Sequence, residues 1–143
     1  MKLSPHFDLA EFTISQTASR LKLDNTPDAD TIERLKITAE AMEEVRALLG
    51  KPILISSGYR SPAVNKAVGS SSTSGHVKGW AVDFICPSFG TVKAVCRVLV
   101  KSKIDFDQLI EECGSWVHIS FDPRMRREVL TMRDGHYVKG LAA

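Results

Sequence analysis

Between Pro27 and Gly50, the residues Ile32, Leu35, Ala39, Met42, Val45 and Leu49 recur at spacings of three and four. That period places them along one stripe of a helix. Thr26-Pro27 predicts its start, a hydroxyl cap followed by proline at the first position, and Asp30 with Glu33 offers an alternative capping box. Gly50, with Pro52 beyond it, predicts its end. A helix of this length with one apolar face cannot stand alone. The rest of the chain must supply a layer to cover it.

That layer is predicted to be a sheet. Ile53 to Ser56, Trp80 to Ile85, Phe106 to Glu112 and Trp116 to Phe121 read as strands, the last two joined by Cys113-Gly114-Ser115 as a hairpin. A further strand or turn is expected near Val129 to Met132. A second amphipathic helix is expected from Ser88 to Ser102, with Val92, Val95, Cys96 and Leu99 inward. Residues 1–26 read as loop with one brief helix near Leu9 to Phe12. Residues 56–76 are rich in serine and glycine and read as a long loop with a helical turn near Ala63 to Val68. Long loops in compact domains often carry function. Helices fall early and strands late, so the expected class is α+β: a small antiparallel sheet with helices on one face.

Length and composition fit a single domain over residues 1–143. The chain is 43% hydrophobic and 25% charged, an ordinary composition for a globular protein. Its net charge of +2 gives no ground for a nucleic-acid partner. No run of apolar residues is long enough for membrane insertion. The stretch MKLSPHFDLAEF lacks the apolar middle of a signal peptide, so synthesis in the cytoplasm is expected. Cys86, Cys96 and Cys113 form no CxxC pair and are odd in number, which argues against a disulfide framework. Small buried thiols are the expectation for Cys86 and Cys113.

Alternation along the strands sorts the polar residues by face. Ala81, Asp83 and Ile85 share one face of their strand, and Trp116, His118 and Ser120 share one face of theirs. A three-residue loop at 113–115 sets Glu112 opposite Trp116 and Ile110 opposite His118, so Gln108, Glu112 and His118 point the same way. A two-residue loop would bring Glu111 beside His118 instead. His76 lies seven residues before Asp83, on the loop leading into that strand. Two histidines and an aspartate can hold zinc and leave a fourth position for water, with a nearby carboxylate to take its proton. The ordinary alternative is a surface histidine, a capping aspartate and a half-buried strand histidine. His6 and His136 are expected at the surface, and Arg124, Arg126 and Arg127 as a solvated patch.

Three segments together resemble a known family. Ser74-Gly75-His76-Val77-Lys78-Gly79-Trp80-Ala81-Val82-Asp83 is similar to the SxHxxGxAxD signature of the M15 zinc peptidases, which include D-Ala-D-Ala carboxypeptidases and phage peptidoglycan peptidases. Gln108-Leu109-Ile110-Glu111-Glu112 with Trp116-Val117-His118-Ile119-Ser120 resembles the QLIxE and WVHIS elements of that family. Ser57-Gly58-Tyr59-Arg60-Ser61-Pro62 with Asn65 resembles its GYRSPxxN stretch. Leu3-Ser4-Pro5-His6-Phe7 and Glu11-Phe12 resemble small phage and prophage members.

The resemblance implies a fold like that of hedgehog signalling domains and D-Ala-D-Ala peptidases. It implies His76, Asp83 and His118 as ligands of Zn2+, and Arg60 as the partner of a substrate carboxylate. Several relatives carry an acidic residue three positions before the last histidine. This chain has Ser115 there, so Glu112 is expected as general base, with Glu111 as the fallback. Ser74 and Gln108 are expected to contact the substrate or support the ligands. Trp116 is counted with the substrate contacts, although packing is the ordinary role of both Trp80 and Trp116.

The implied activity is zinc-dependent hydrolysis of a D-amino-acid-containing peptide bond of peptidoglycan, as in a carboxypeptidase, endopeptidase or phage endolysin. Delivery to the cell wall would then rest on another component, such as a phage holin or virion. The alternatives are a non-catalytic zinc-binding module and a phage structural component of the same fold.

Overall fold

A computed structural model describes residues 1–142. A short N-terminal pair, β1 (Lys2–Ser4) and β2 (Phe7–Asp8), leads into α1 (Leu9–Thr13) and α2 (Gln16–Leu21). The long helix α3 (Ala29–Leu49) follows, then β3 (Leu54–Ser57), α4 (Pro62–Ala67), α5 (Gly75–Lys78) and β4 (Ala81–Ile85). The second half contains α6 (Val92–Lys101), β5 (Gln108–Glu112), β6 (Trp116–Ser120), β7 (Glu128–Arg133) and β8 (His136–Lys139). The class is α+β. No helix among the described residues is long and apolar enough to cross a membrane.

The helix expected from the apolar stripe forms, but neither expected cap starts it. Asp28 is the N-cap, its carboxylate accepting the Thr31 N–H at 2.8 Å. An aspartate there accepts a free N–H, as a threonine hydroxyl can, and also sets a negative charge at the positive end of the helix dipole. Gly50 ends the helix in the left-handed region, as its position predicted. Leu35, Ala39, Met42 and Val45 are fully buried in one cluster with Val82, Phe84, Leu109, Val117 and Ile119 of the sheet. One face of the sheet therefore packs against helices. Alternation turns Asp83, Gln108, Ile110, Glu112 and His118 to the other face.

The six-stranded sheet has the order β3-β4-β6-β5-β7-β8. It is mixed, which corrects the expectation of an antiparallel sheet: β5 and β7 run parallel. The loop after β6 explains this. Asp107, just before β5, is fully buried and accepts from the side chains of Arg124 and Arg126 and from the Arg126 backbone N–H. The Arg127 and Glu128 N–H groups donate to the Phe106 and Asp107 carbonyls. Pinned there, the chain starts β7 beside the start of β5 and must run in the same direction. Because β7 skips one strand and is antiparallel to β6 in direction, a short loop suffices.

The three arginines of this loop are exposed, as expected, but each is also engaged by the fold. Arg124 and Arg126 are tied to Asp107, while Arg127 lies 4.5 Å over the Phe106 ring and donates to the Val100, Ser102 and Ile104 carbonyls. Helix α2, the β1–β2 pair and β8 have no counterpart in the sequence-based expectation. Each is too short to show a period. Cys86 and Cys96 are buried, but Cys113 is exposed in the β5–β6 turn at φ 53°, a place that sheds its side chain into solvent. His6 and His136 are at the surface, and His6 Nδ1 lies 2.7 Å from Glu43 Oε1, holding the N-terminal pair to α3.

Leu35 has no exposed surface and contacts the chain where it turns from α5 into β4. Leu35→Ala is expected to destabilise the protein by about 3 kcal/mol. Urea unfolding checks this, with a lower midpoint and an unchanged slope expected.

Candidate active site

Asp83 and His118 meet because β4 and β6 pair in antiparallel register, with Asp83 directly opposite His118. His118 Nδ1 lies 2.9 Å from Asp83 Oδ1. His76 arrives from α5, which replaces the expected loop with a single helical turn. The Ser74 hydroxyl caps that turn by accepting the His76 N–H at 3.3 Å. Gly79 ends it at φ 87°, a left-handed conformation that lets the chain reverse directly into β4.

The His76 ring is 1% exposed, and its Nδ1 lies 2.7 Å from the Gly58 carbonyl oxygen. A carbonyl only accepts, so Nδ1 donates and Nε2 turns its lone pair toward Asp83 Oδ1, 3.3 Å away. Gly58 is where the chain passes closest to α1. A Cβ there would lie 2.6 Å from the Phe12 carbonyl oxygen, so only glycine brings this carbonyl to the histidine.

The ionisation states follow from these surroundings. Burial lowers the His76 pKa and outweighs the nearby Asp83 charge, so the ring is neutral. Burial alone would raise the Asp83 carboxyl, but the contacts with His76 and His118 hold it well below the usual carboxylate range. Neutral imidazole and ionised carboxylate are the forms that bind a metal ion. One donor atom from each of His76, Asp83 and His118 lies within 4.8 Å of the others, so the three could hold one ion. Tetrahedral coordination by nitrogen and oxygen sets neighbouring donors about 3.3 Å apart, and the His76–Asp83 pair already has that spacing.

These residues line a cavity of about 640 Å³ on the open face of the sheet, together with Arg60, Ser74, Gln108, Glu112 and Trp116. The hairpin has the register of a three-residue loop, Ile110 opposite His118 and Glu112 opposite Trp116. Glu112 is 7% exposed, and burial, reinforced by the charges of Asp83 and Glu111, raises its carboxyl above the ordinary range. Glu111 points to the opposite face. There it is 1% exposed and bound at both oxygens by Arg133, with the Gly114 N–H as a third donor.

Arg60 is half-buried, and its Nε has no hydrogen-bond partner. Burial lowers its pKa, against the pull of Asp83. The Gln108 amide donates to Glu128 Oε1 at 2.7 Å, so it is already oriented. Trp116 is 38% exposed at the cavity edge. Trp80 is not among the cavity residues. Leu130 and Tyr137 also line the cavity and are absent from the sequence-based site. The one available signal was Asp134-Gly135, a turn pair that here joins β7 to β8.

Two imidazoles and a carboxylate that could hold a metal ion share one cleft with a second, protonatable carboxylate that could move a proton beside it. The Peptidase M15 family model matches residues 5–120, and the chain belongs to this family of peptidases. A search of curated proteins finds no match to it.

Gly58→Ala should displace the carbonyl that orients His76. The expected result is weaker metal binding, by about tenfold, with His76 itself intact. Competition with a chromophoric chelator measures this, and wild-type affinity would show that the carbonyl does not matter.

Proposed function

We propose that the protein is a zinc-dependent peptidase that hydrolyses a peptide bond next to a D-amino acid in the stem or crosslink of peptidoglycan. The observation that carries the reading is the convergence of His76, Asp83 and His118 on one point, beside Glu112, in one cavity. The donor set fits zinc: two imidazoles and one carboxylate, with a hydrogen-bonded carbonyl behind one imidazole. Zinc held there would polarise the scissile carbonyl and acidify a water molecule.

The remaining work falls to the chain. Glu112 accepts a proton from the attacking water and returns it to the leaving amine, which its raised pKa suits. Arg60, with an unpartnered Nε, receives a carboxylate of the substrate and sets which bond lies at the metal. Ser74 acts through His76, whose N–H it accepts. Gln108, held by Glu128, and Trp116 border the peptide. The D-amino-acid substrate rests on the resemblance of the Arg60, His76 and His118 segments to peptidoglycan peptidases.

Digestion of purified peptidoglycan with and without a chelator, with mass analysis of the products, tests the reading. Chelator-sensitive release of D-alanine or of crosslink fragments is expected, and no product with any divalent metal would refute it. Glu112→Gln should retain zinc and lose activity by about 10²–10⁴-fold. In the wild type, kcat/KM should fall as pH drops through the Glu112 carboxyl, because the base is then protonated. Arg60→Ala should raise KM, and Arg60→Lys should recover little, since an ammonium cannot form the bidentate pair.

A further inference from the structure

The family match ends at residue 120, yet the cavity does not. Beyond β5, its wall is built by the β7–β8 hairpin. Glu112 pairs with Met132 of β7, and Met132 with Tyr137 of β8, so one row across the sheet runs Trp116, Glu112, Met132, Tyr137. The next row places Leu130 beside Ile110 and His118. The hairpin thus adds Leu130 and Tyr137 to a cleft whose metal-binding residues stand on β4, β6 and α5.

The cleft is lined by Arg60 and the hydroxyls of Ser70, Ser71 and Thr73 near β3 and α5. Its apolar side chains, Ile110, Leu130, Trp116 and Tyr137, stand on β5 to β8, interleaved there with Gln108 and Glu112. The metal-binding cluster lies between these two groups, since β4 and β6 come between β3 and β5 in the sheet. Tyr137 is 58% exposed, a large ring left open on a strand whose four residues are all exposed.

We propose that the β7–β8 hairpin forms the acyl-side wall of the substrate cleft, and that Tyr137 is a specificity-determining residue that packs against an aliphatic side chain of the peptide upstream of the scissile bond. This rests on the proposed peptidase reading, with the carboxylate held by Arg60 belonging to the leaving side of the substrate. A peptide anchored at Arg60 that crosses the metal cluster along the strand order meets Leu130 and Tyr137 of the β7–β8 hairpin. Adjacent strands lie about 4.8 Å apart, so the three steps from β6 to β8 span about 14 Å, the length of roughly four extended residues. The wall would therefore distinguish a full peptide stem from a truncated one.

The test uses the zinc-loaded chain with a five-residue peptide ending in D-alanyl-D-alanine and with N-acetyl-D-alanyl-D-alanine. Wild type should favour the long peptide. Tyr137→Ala should raise KM for it by about tenfold with kcat changed less than about twofold, so that the preference over the short substrate collapses. Tyr137→Phe should recover most of the preference, because the ring supplies the contact. An unchanged KM, an equal rise for both substrates, or an effect on kcat alone would overturn the inference. The same peptides are titrated by tryptophan fluorescence, which needs no turnover. If wild type hydrolyses neither peptide, the peptidase reading fails, and the titration decides the hairpin separately. Loss of long-peptide affinity in Tyr137→Ala supports the wall, and equal affinity removes it.

Discussion

The antiparallel register that sets Asp83 opposite His118 is the constraint on which the site depends. It brings a carboxylate and an imidazole within 2.9 Å from strands that are 35 residues apart in the chain. Shifting β4 by one residue would exchange Asp83 for a core residue and bury the carboxylate among apolar side chains. The hydrophobic face of the same strands prevents this. Val82, Phe84, Val117 and Ile119 are fully buried, and any slip that moved Asp83 would expose them. The core thus holds Asp83 and His118 in register.

His76 depends on a different kind of constraint. It lies on no strand, and its position comes from a short run of local devices: the Ser74 cap, the left-handed Gly79 and the Gly58 carbonyl behind the ring. Gly58 in turn sits against the backbone of α1. The N-terminal segment therefore bears on the site although it contributes no side chain to it. Arg60 shares this support, because its N–H donates to the His76 carbonyl at 3.1 Å.

The adjacent glutamates show how one strand can serve two purposes. Glu112 faces the cavity, where burial and neighbouring negative charge make protonation easier. Glu111 faces the other way, and its two oxygens are engaged by Arg133 from β7. A buried carboxylate without such a partner would be costly. Arg133 lies beyond the family-matched residues, so the C-terminal hairpin both supports this buried charge and extends the cleft.

Read alone, the sequence already determined the long helix, the polar and apolar faces of β4, β5 and β6, and a hairpin turn around Cys113-Gly114-Ser115, whose register the strand pairing then fixed as that of a three-residue loop. These are local or periodic: a stripe at 3.6, an alternation at 2, a turn of known length. It also showed which residue types could bind a metal, and the motifs joined them. What only the tertiary structure decided was everything set by distant backbone. The Gly58 carbonyl behind His76, the burial of Asp107 between two arginines, the parallel β7 and the arrival of Tyr137 at the cleft have no period and no fixed spacing. They arise because the packed core leaves the connecting loops few paths, and a path becomes visible only when its two ends are brought together in space.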